Sequence, residues 1–269
     1  MHQKPGEEKQ EPIVLTQLQD HIGIVTMNNS GKLNTLSSEL VQGILEAFDS
    51  FEEAKARVVI LRAVPGVKVW SAGHNMKEMP LGGQDPVTWN ESFQKLLHRV
   101  RHLPMPIIGL IEGTVWGGAC DLCMTCDMLV GAPSATFAIT PVKLGISYNT
   151  AGVSHFLGVL PTHIVKEMLF TAEPISAKVA YKFGLLNKLV EADKLEETAM
   201  QMAALIASRA PLAVHVLRRE IQTLTNGQAL SPDDFEVIQE LRREAYRSED
   251  FKEGISSFFE RRDPVFTGK

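Results

Sequence analysis

The chain has 269 residues, 44% of them apolar and 22% charged, which is enough to bury one full core. Its net charge of -5 contains no basic run, so it lacks the Lys/Arg stripe that a nucleic-acid partner requires. Apolar stretches break well short of a bilayer span and the opening MHQKPGEEKQEP holds no apolar leader, so a soluble, cytoplasmic protein without a membrane partner is expected.

Residues 1–12 are polar and aperiodic and are expected to form a mobile tail. The β-branched runs 13–19 and 22–27 meet at Asp20-His21, which predicts a hairpin. Over 36–54, Leu40, Val41, Ile44, Leu45, Phe48 and Phe51 fall on one helical stripe, with Ser37 or Ser38 available as cap. A strand over 57–63 leads through a loop to Ser71-Ala72-Gly73-His74. Trp89, Phe93, Leu96, Leu97, Val100 and Leu103 recur at helical spacing until Pro104 and Pro106, and a strand follows over 107–111. After Gly117-Gly118 a buried helix runs to about Asp127, and 128–130 and 136–138 read as short strands.

From Thr150 the pattern is almost wholly helical, closing with helices over 195–207, 212–224, 233–246 and 251–262. Strands early and helices late predict an α/β (α+β) core over 13–200 and a helical C-terminal region over 201–269 that can pack on a neighbouring subunit.

Cys120, Cys123 and Cys126 have the spacing that opens an iron–sulfur run, but the sequence holds no fourth cysteine. They alternate with Leu122, Met124 and Met128 and read as core, in a reducing compartment. His98 and His102 stand at i, i+4, yet no Glu follows His98 as a metalloprotease helix requires, so no metal is expected. There is no P-loop, dinucleotide fingerprint or G-x-S-x-G elbow.

Two turns remain, each able to expose a backbone amide after a strand: Ser71-Ala72-Gly73-His74-Asn75 and Glu112-Gly113-Thr114-Val115-Trp116-Gly117-Gly118. At Gly117-Gly118 the missing Cβ lets a ligand approach the main chain, and the following helix adds unpaired N–H groups and a positive dipole end. That suits an oxyanion, although GG taken alone more often serves tight helix–sheet packing.

The segments VWSAGHNMKEM and PIIGLIEGTVWGGACDLCMTCDMLV, in this order, resemble the two signature regions of the crotonase (enoyl-CoA hydratase/isomerase) superfamily, and SEDFKEGISSFFERRDPVF is similar to its closing helix. The resemblance implies a crotonase-type spiral of ββα units, a homotrimer or dimer of trimers, and an acyl-CoA thioester substrate with no separate cofactor. By the same resemblance the amides of His74 and Gly118 hold the thioester oxygen. Lys32, Leu33, Ala72, Gly73, Asn75, Met76, Gly117 and Arg261 would then line the CoA side. Asn75 departs from the family's usual Asp.

Hydratases of that family use two carboxylates; this chain has Asp121 at the first position and Val142 at the second, and Val cannot move a proton. Asp121 is either a shortened acid–base group or a structural carboxylate, the latter being preferred. Decarboxylation of a malonyl-type thioester needs no base, and SAGHNMKEMPLGGQDP, TFAITPVKLGISYNTAG and HIVKEMLFTAEPI resemble the branch of the family that decarboxylates methylmalonyl-CoA. That resemblance implies that Tyr148, His74 and Thr140 face the substrate carboxylate, with Val142 and Trp116 as apolar neighbours. A hydratase or isomerase activity and a non-catalytic CoA-binding oligomer are the rival expectations.

Overall fold

A computed structural model describes residues 11–78, 91–225 and 246–266, with a few positions between 236 and 244. The hairpin forms as expected, β1 (Val14–Gln19) pairing antiparallel with β2 (Ile22–Met27) across Asp20 and His21, both at positive φ. The next elements are α1 (Ser38–Glu53), β3 (Val58–Ala63), β4 (Val69–Ser71), α2 (Ser92–His102), β5 (Ile107–Ile111), β6 (Thr114–Trp116), α3 (Gly118–Thr125), β7 (Met128–Gly131) and β8 (Thr136–Ala138). Ser37 caps α1, its side chain accepting from Leu40 N, and the predicted apolar stripe is buried except for the half-buried Leu45.

The helical half comprises α4 (Thr150–Val159), α5 (Thr162–Thr171), α6 (Ala177–Lys182), α7 (Ala192–Ala207), α8 (Pro211–Thr225) and α9 (Glu249–Glu260), interrupted by β9 (Ile175–Ser176) and β10 (Lys188–Leu189). Strands alternate between two sheets. β1-β2-β3-β5-β7-β10 form one, parallel from β2 onward, while β4-β6-β8-β9 form the other, whose β8–β9 pair is antiparallel. Thus β3–β4, β5–β6 and β7–β8 each contribute one strand to each sheet, the spiral of repeated units that the resemblance implied.

Both faces of the larger sheet are covered. In β3, Val59 and Leu61 enter the main core with α1, α2 and α3, whereas Val58 and Ile60 face a second cluster under α7. Leu195, Ala199, Ala203 and Ala207 recur every four residues along α7, and the three alanines let that helix lie close to the strands. The boundary expected near residue 200 falls inside this continuous helix.

Several expectations are corrected. Val69–Ser71 is a strand rather than part of a loop, Thr114–Trp116 is a further strand, and β9 and β10 interrupt the half read as helical. Each is only two or three residues long, too short to show a period-2 pattern, and each is created by its sheet partner rather than by propensity. The tail before residue 11, Trp89 and most of the helix expected over 233–246 lie outside the described residues.

Candidate active site

The site begins where β4 and β6 end side by side. Gly73 leaves β4 at φ +82, and Leu36 N donates to its carbonyl at 2.8 Å. The Ser71 hydroxyl accepts from Gly73 N at 3.2 Å and donates to Asn34 O at 2.7 Å. Gly117, at φ 52 and ψ -121, turns the chain out of β6 into α3, its N–H donating to Ala138 O at 2.8 Å.

These turns bring two amides together. A Cβ on Gly73 would lie 2.3 Å from Trp116 O and 2.9 Å from Gly118 N, and one on Gly118 would lie 3.5 Å from His74 N. Only glycine tolerates Gly73's conformation and crowding at once. Among the described residues neither His74 N–H nor Gly118 N–H has a protein acceptor, and Gly118 adds the positive end of α3.

The amides open into a cavity of about 670 Å³. Of the residues singled out from sequence, Leu33, Ala72, His74, Asn75, Met76, Gly117, Gly118, Thr140, Tyr148 and Arg261 line it. Lys32, Gly73, Trp116 and Val142 do not: Lys32 is exposed on a neighbouring surface, Gly73 lies beneath the turn, and Trp116 sits half-buried in β6. Val142 is excluded by geometry. It belongs to the single 3-10 turn Pro141–Leu144, in which residues three apart share a face, so Pro141 and Leu144 reach the cavity while Val142 is left 45% exposed. The apolar wall is instead made by Phe93, Pro141, Leu144 and Ile146, with Phe258 and Phe259 arriving from α9.

Asn75, the departure from the family pattern, is explained by its neighbour. Its Nδ2 donates to Glu78 Oε1 at 2.7 Å while Glu78 Oε2 accepts from Ser38 N and Oγ. An Asp at this position would set two carboxylates against each other.

The acid–base groups are held in an unexpected way. Asp121 is fully buried on α3; its Oδ1 meets His155 Nδ1 at 2.6 Å, and its Oδ2 accepts from the Tyr148 hydroxyl at 3.2 Å. Burial, reinforced by the Asp121 charge, holds the Tyr148 pKa well above its ordinary value, so the phenol keeps its proton at neutral pH. Gly152 makes the arrangement possible, since a Cβ there would fall 2.3 Å from Tyr148 Cε1 and 2.9 Å from Asp121 Oδ2. Burial also lowers the His74 pKa below 6.5, outweighing the opposite pull of Glu91 and Glu78, and leaves a neutral imidazole whose two buried nitrogens have no protein partner among the described residues.

Sequence reasoning missed His155, Lys77, Phe258 and Phe259. Lys77 follows Met76 directly and was within reach of the motif; His155 stands 34 residues from Asp121, and no periodicity links the two. The three cysteines pack as expected: Cys120 and Cys123 are buried, burial raises the pKa of all three, and Cys120 Sγ contacts Val115 O and Ala138 O. His98 and His102 stack at 4.0 Å on exposed positions of α2.

The enoyl-CoA hydratase/isomerase family model matches residues 17–269. Methylmalonyl-CoA decarboxylase of Escherichia coli (strain K12) is 40% identical over 247 residues, covering 92% of this chain and 95% of its own. Two solved structures superpose with TM-scores of 0.93 at 38% identity. One is methylmalonyl-CoA decarboxylase in complex with 2-nitronate-propionyl-CoA, covering 96% of this chain and 99% of its own, and the other is that enzyme complexed with 2S-carboxypropyl CoA, covering 97% and 100%. Fold, paired amides and family match agree, and the chain belongs to the enoyl-CoA hydratase/isomerase family.

Proposed function

We propose that the protein is a carboxy-lyase that converts methylmalonyl-CoA to propionyl-CoA. One observation carries this reading: the carboxylate at the family's acid–base position, Asp121, has both oxygens engaged by His155 and Tyr148, while the second acid–base position is the outward-facing Val142. Among the described residues that line the cavity there is no Asp or Glu. Hydration and double-bond shifts require a carboxylate that takes and returns a proton, whereas loss of CO2 does not.

In this reading the thioester oxygen sits between His74 N–H and Gly118 N–H. The acyl end reaches Tyr148, Thr140 and the neutral His74, and CoA runs out past Leu33, Met76 and Arg261. The bond from Cα to the carboxylate carbon breaks and its electron pair moves through Cα into the carbonyl, giving an enolate oxygen that the two amides stabilise. CO2 leaves, and Cα takes up one proton. Neutral groups beside the carboxylate suit the step, because a Lys or Arg there would stabilise the charge that has to disappear.

Mass spectrometry of CoA products from methylmalonyl-CoA, malonyl-CoA and crotonyl-CoA tests the assignment. Propionyl-CoA forms and crotonyl-CoA stays unchanged; hydration of crotonyl-CoA would overturn it. Asp121→Asn sharpens the test. Decarboxylation stays within about fivefold of the parent, because the amide still accepts from His155 through Oδ1 and holds the Tyr148 oxygen through Nδ2–H, against the roughly 10²–10⁴-fold loss expected of a general acid–base residue.

The oligomer proposed is a homotrimer or dimer of trimers. It is supported by α8, which exposes five large apolar side chains, Leu212, Val216, Leu217, Ile221 and Leu224, the kind of surface that a neighbouring subunit covers. Sedimentation equilibrium should return a multiple of three chain masses; a single-chain mass would refute it.

A further inference from the structure

Tyr148 stands at the end of a part-buried chain of polar groups that no acid–base step uses. Behind it lies Asp121, behind Asp121 the ring of His155, and behind His155 Nε2, at 3.1 Å, the Arg101 guanidinium. The order of donors follows from chemistry. A guanidinium can only donate, so Nε2 must accept; an ionised carboxylate can only accept, so Nδ1 carries the proton. His155 is thereby fixed as the neutral Nδ1–H tautomer, and Asp121, fully buried, receives one hydrogen bond on each oxygen.

We propose that Arg101, His155 and Asp121 are positioning residues that hold the Tyr148 ring against the cavity and fix its orientation for the decarboxylation step. The proposal rests on the carboxy-lyase reading. The geometry around it is closed: the Tyr148 ring packs edge-on to Phe156 at 5.8 Å, Gly152 leaves no room for a side chain beneath it, and its hydroxyl is anchored at Asp121 Oδ2. Tyr148 lies in a segment, Gly145 to Asn149, that has no regular secondary structure of its own, so this anchor supplies an order that the backbone does not. The reading also accounts for the shorter Asp at this position. It holds its charge on α3, where it meets His155 and Tyr148, instead of extending it towards the substrate.

A mutant cycle tests the relay with methylmalonyl-CoA as substrate. Tyr148→Phe lowers kcat about twentyfold and His155→Leu about tenfold, both with KM nearly unchanged, while the double variant is no slower than Tyr148→Phe by more than about twofold. His155→Asn, whose amide nitrogen can take the place of Nδ1, restores kcat to within about threefold of the parent. Equal losses for His155→Leu with and without Tyr148, or a His155→Leu variant as fast as the parent, would overturn the relay. The tautomer gives a readout independent of turnover: ¹⁵N NMR of the parent shows His155 protonated at Nδ1 and bare at Nε2, and the opposite pattern overturns the proposal. A parent that produces no propionyl-CoA refutes the carboxy-lyase reading, whereas an active parent with an additive cycle refutes the relay alone.

Discussion

Gly118→Pro lowers kcat for decarboxylation by about 10²–10³-fold, the loss associated with removing one oxyanion donor. The substitution removes the N–H and sets the ring's Cδ where the enolate oxygen would sit. The fold tolerates it for three reasons. Gly118 is the first residue of α3, where a missing amide proton breaks no helical hydrogen bond and the fixed φ of proline suits the helix. Gly117, at φ 52 and ψ -121, occupies the mirror image of the extended conformation that a residue before proline prefers, which glycine can hold. The added Cβ meets Phe93 Cζ at 3.2 Å, and that ring edge needs to give by only a few tenths of an ångström. Melting should therefore stay within about 3 °C of the parent, as a change of less than about 1 kcal/mol would dictate. A folded variant with kcat within tenfold of the parent would remove Gly118 N–H from the reaction.

The turns that bring the two amides together were legible because glycine pairs and strand ends are local features. So were the hairpin, the α1 stripe and the buried cysteines, each a matter of periodicity or of a single turn. What sequence could not supply was direction. Val142 and Pro141 are neighbours in sequence, and only the 3-10 turn decides that one faces the cavity and the other solvent. Asp121 could be weighed as acid or as structure, but its partner His155 is brought in by the packing of α3 against α4. The short strands β4 and β6 escaped for a similar reason: three residues carry no pattern, and the parallel pair that positions both amides exists only once the spiral closes.

The clearest consequence of that long-range assembly lies in α9. Gly254→Ala raises KM for methylmalonyl-CoA on the order of 30-fold while leaving kcat nearly unchanged, because a displacement of roughly 1 Å is enough to misplace substrate-holding groups. Within a helix the change by itself favours folding by about 1 kcal/mol. Here the new Cβ would stand 2.2 Å from Leu144 O and 2.3 Å from Leu144 C, backbone atoms that cannot swing aside, and overpacking of this kind costs about 1–3 kcal/mol. The clash therefore wins, and one of the two elements must shift. α9 is the one that gives, since the buried residues that hold it are a small cluster of Ile146, Tyr246, Phe251 and Ile255, separate from the main core. Phe258, Phe259 and Arg261 move with it, and these are the groups α9 and its C-cap bring to the cavity. The two amides stand at the ends of β4 and β6, and Tyr148 is held from the side of α3 and α4 by Asp121 and Phe156, so they keep their places and turnover of bound substrate is preserved. An unchanged KM would separate α9 from acyl-CoA binding, and a fall in kcat at constant KM would mean that the Leu144 turn had moved instead, taking Thr140 with it.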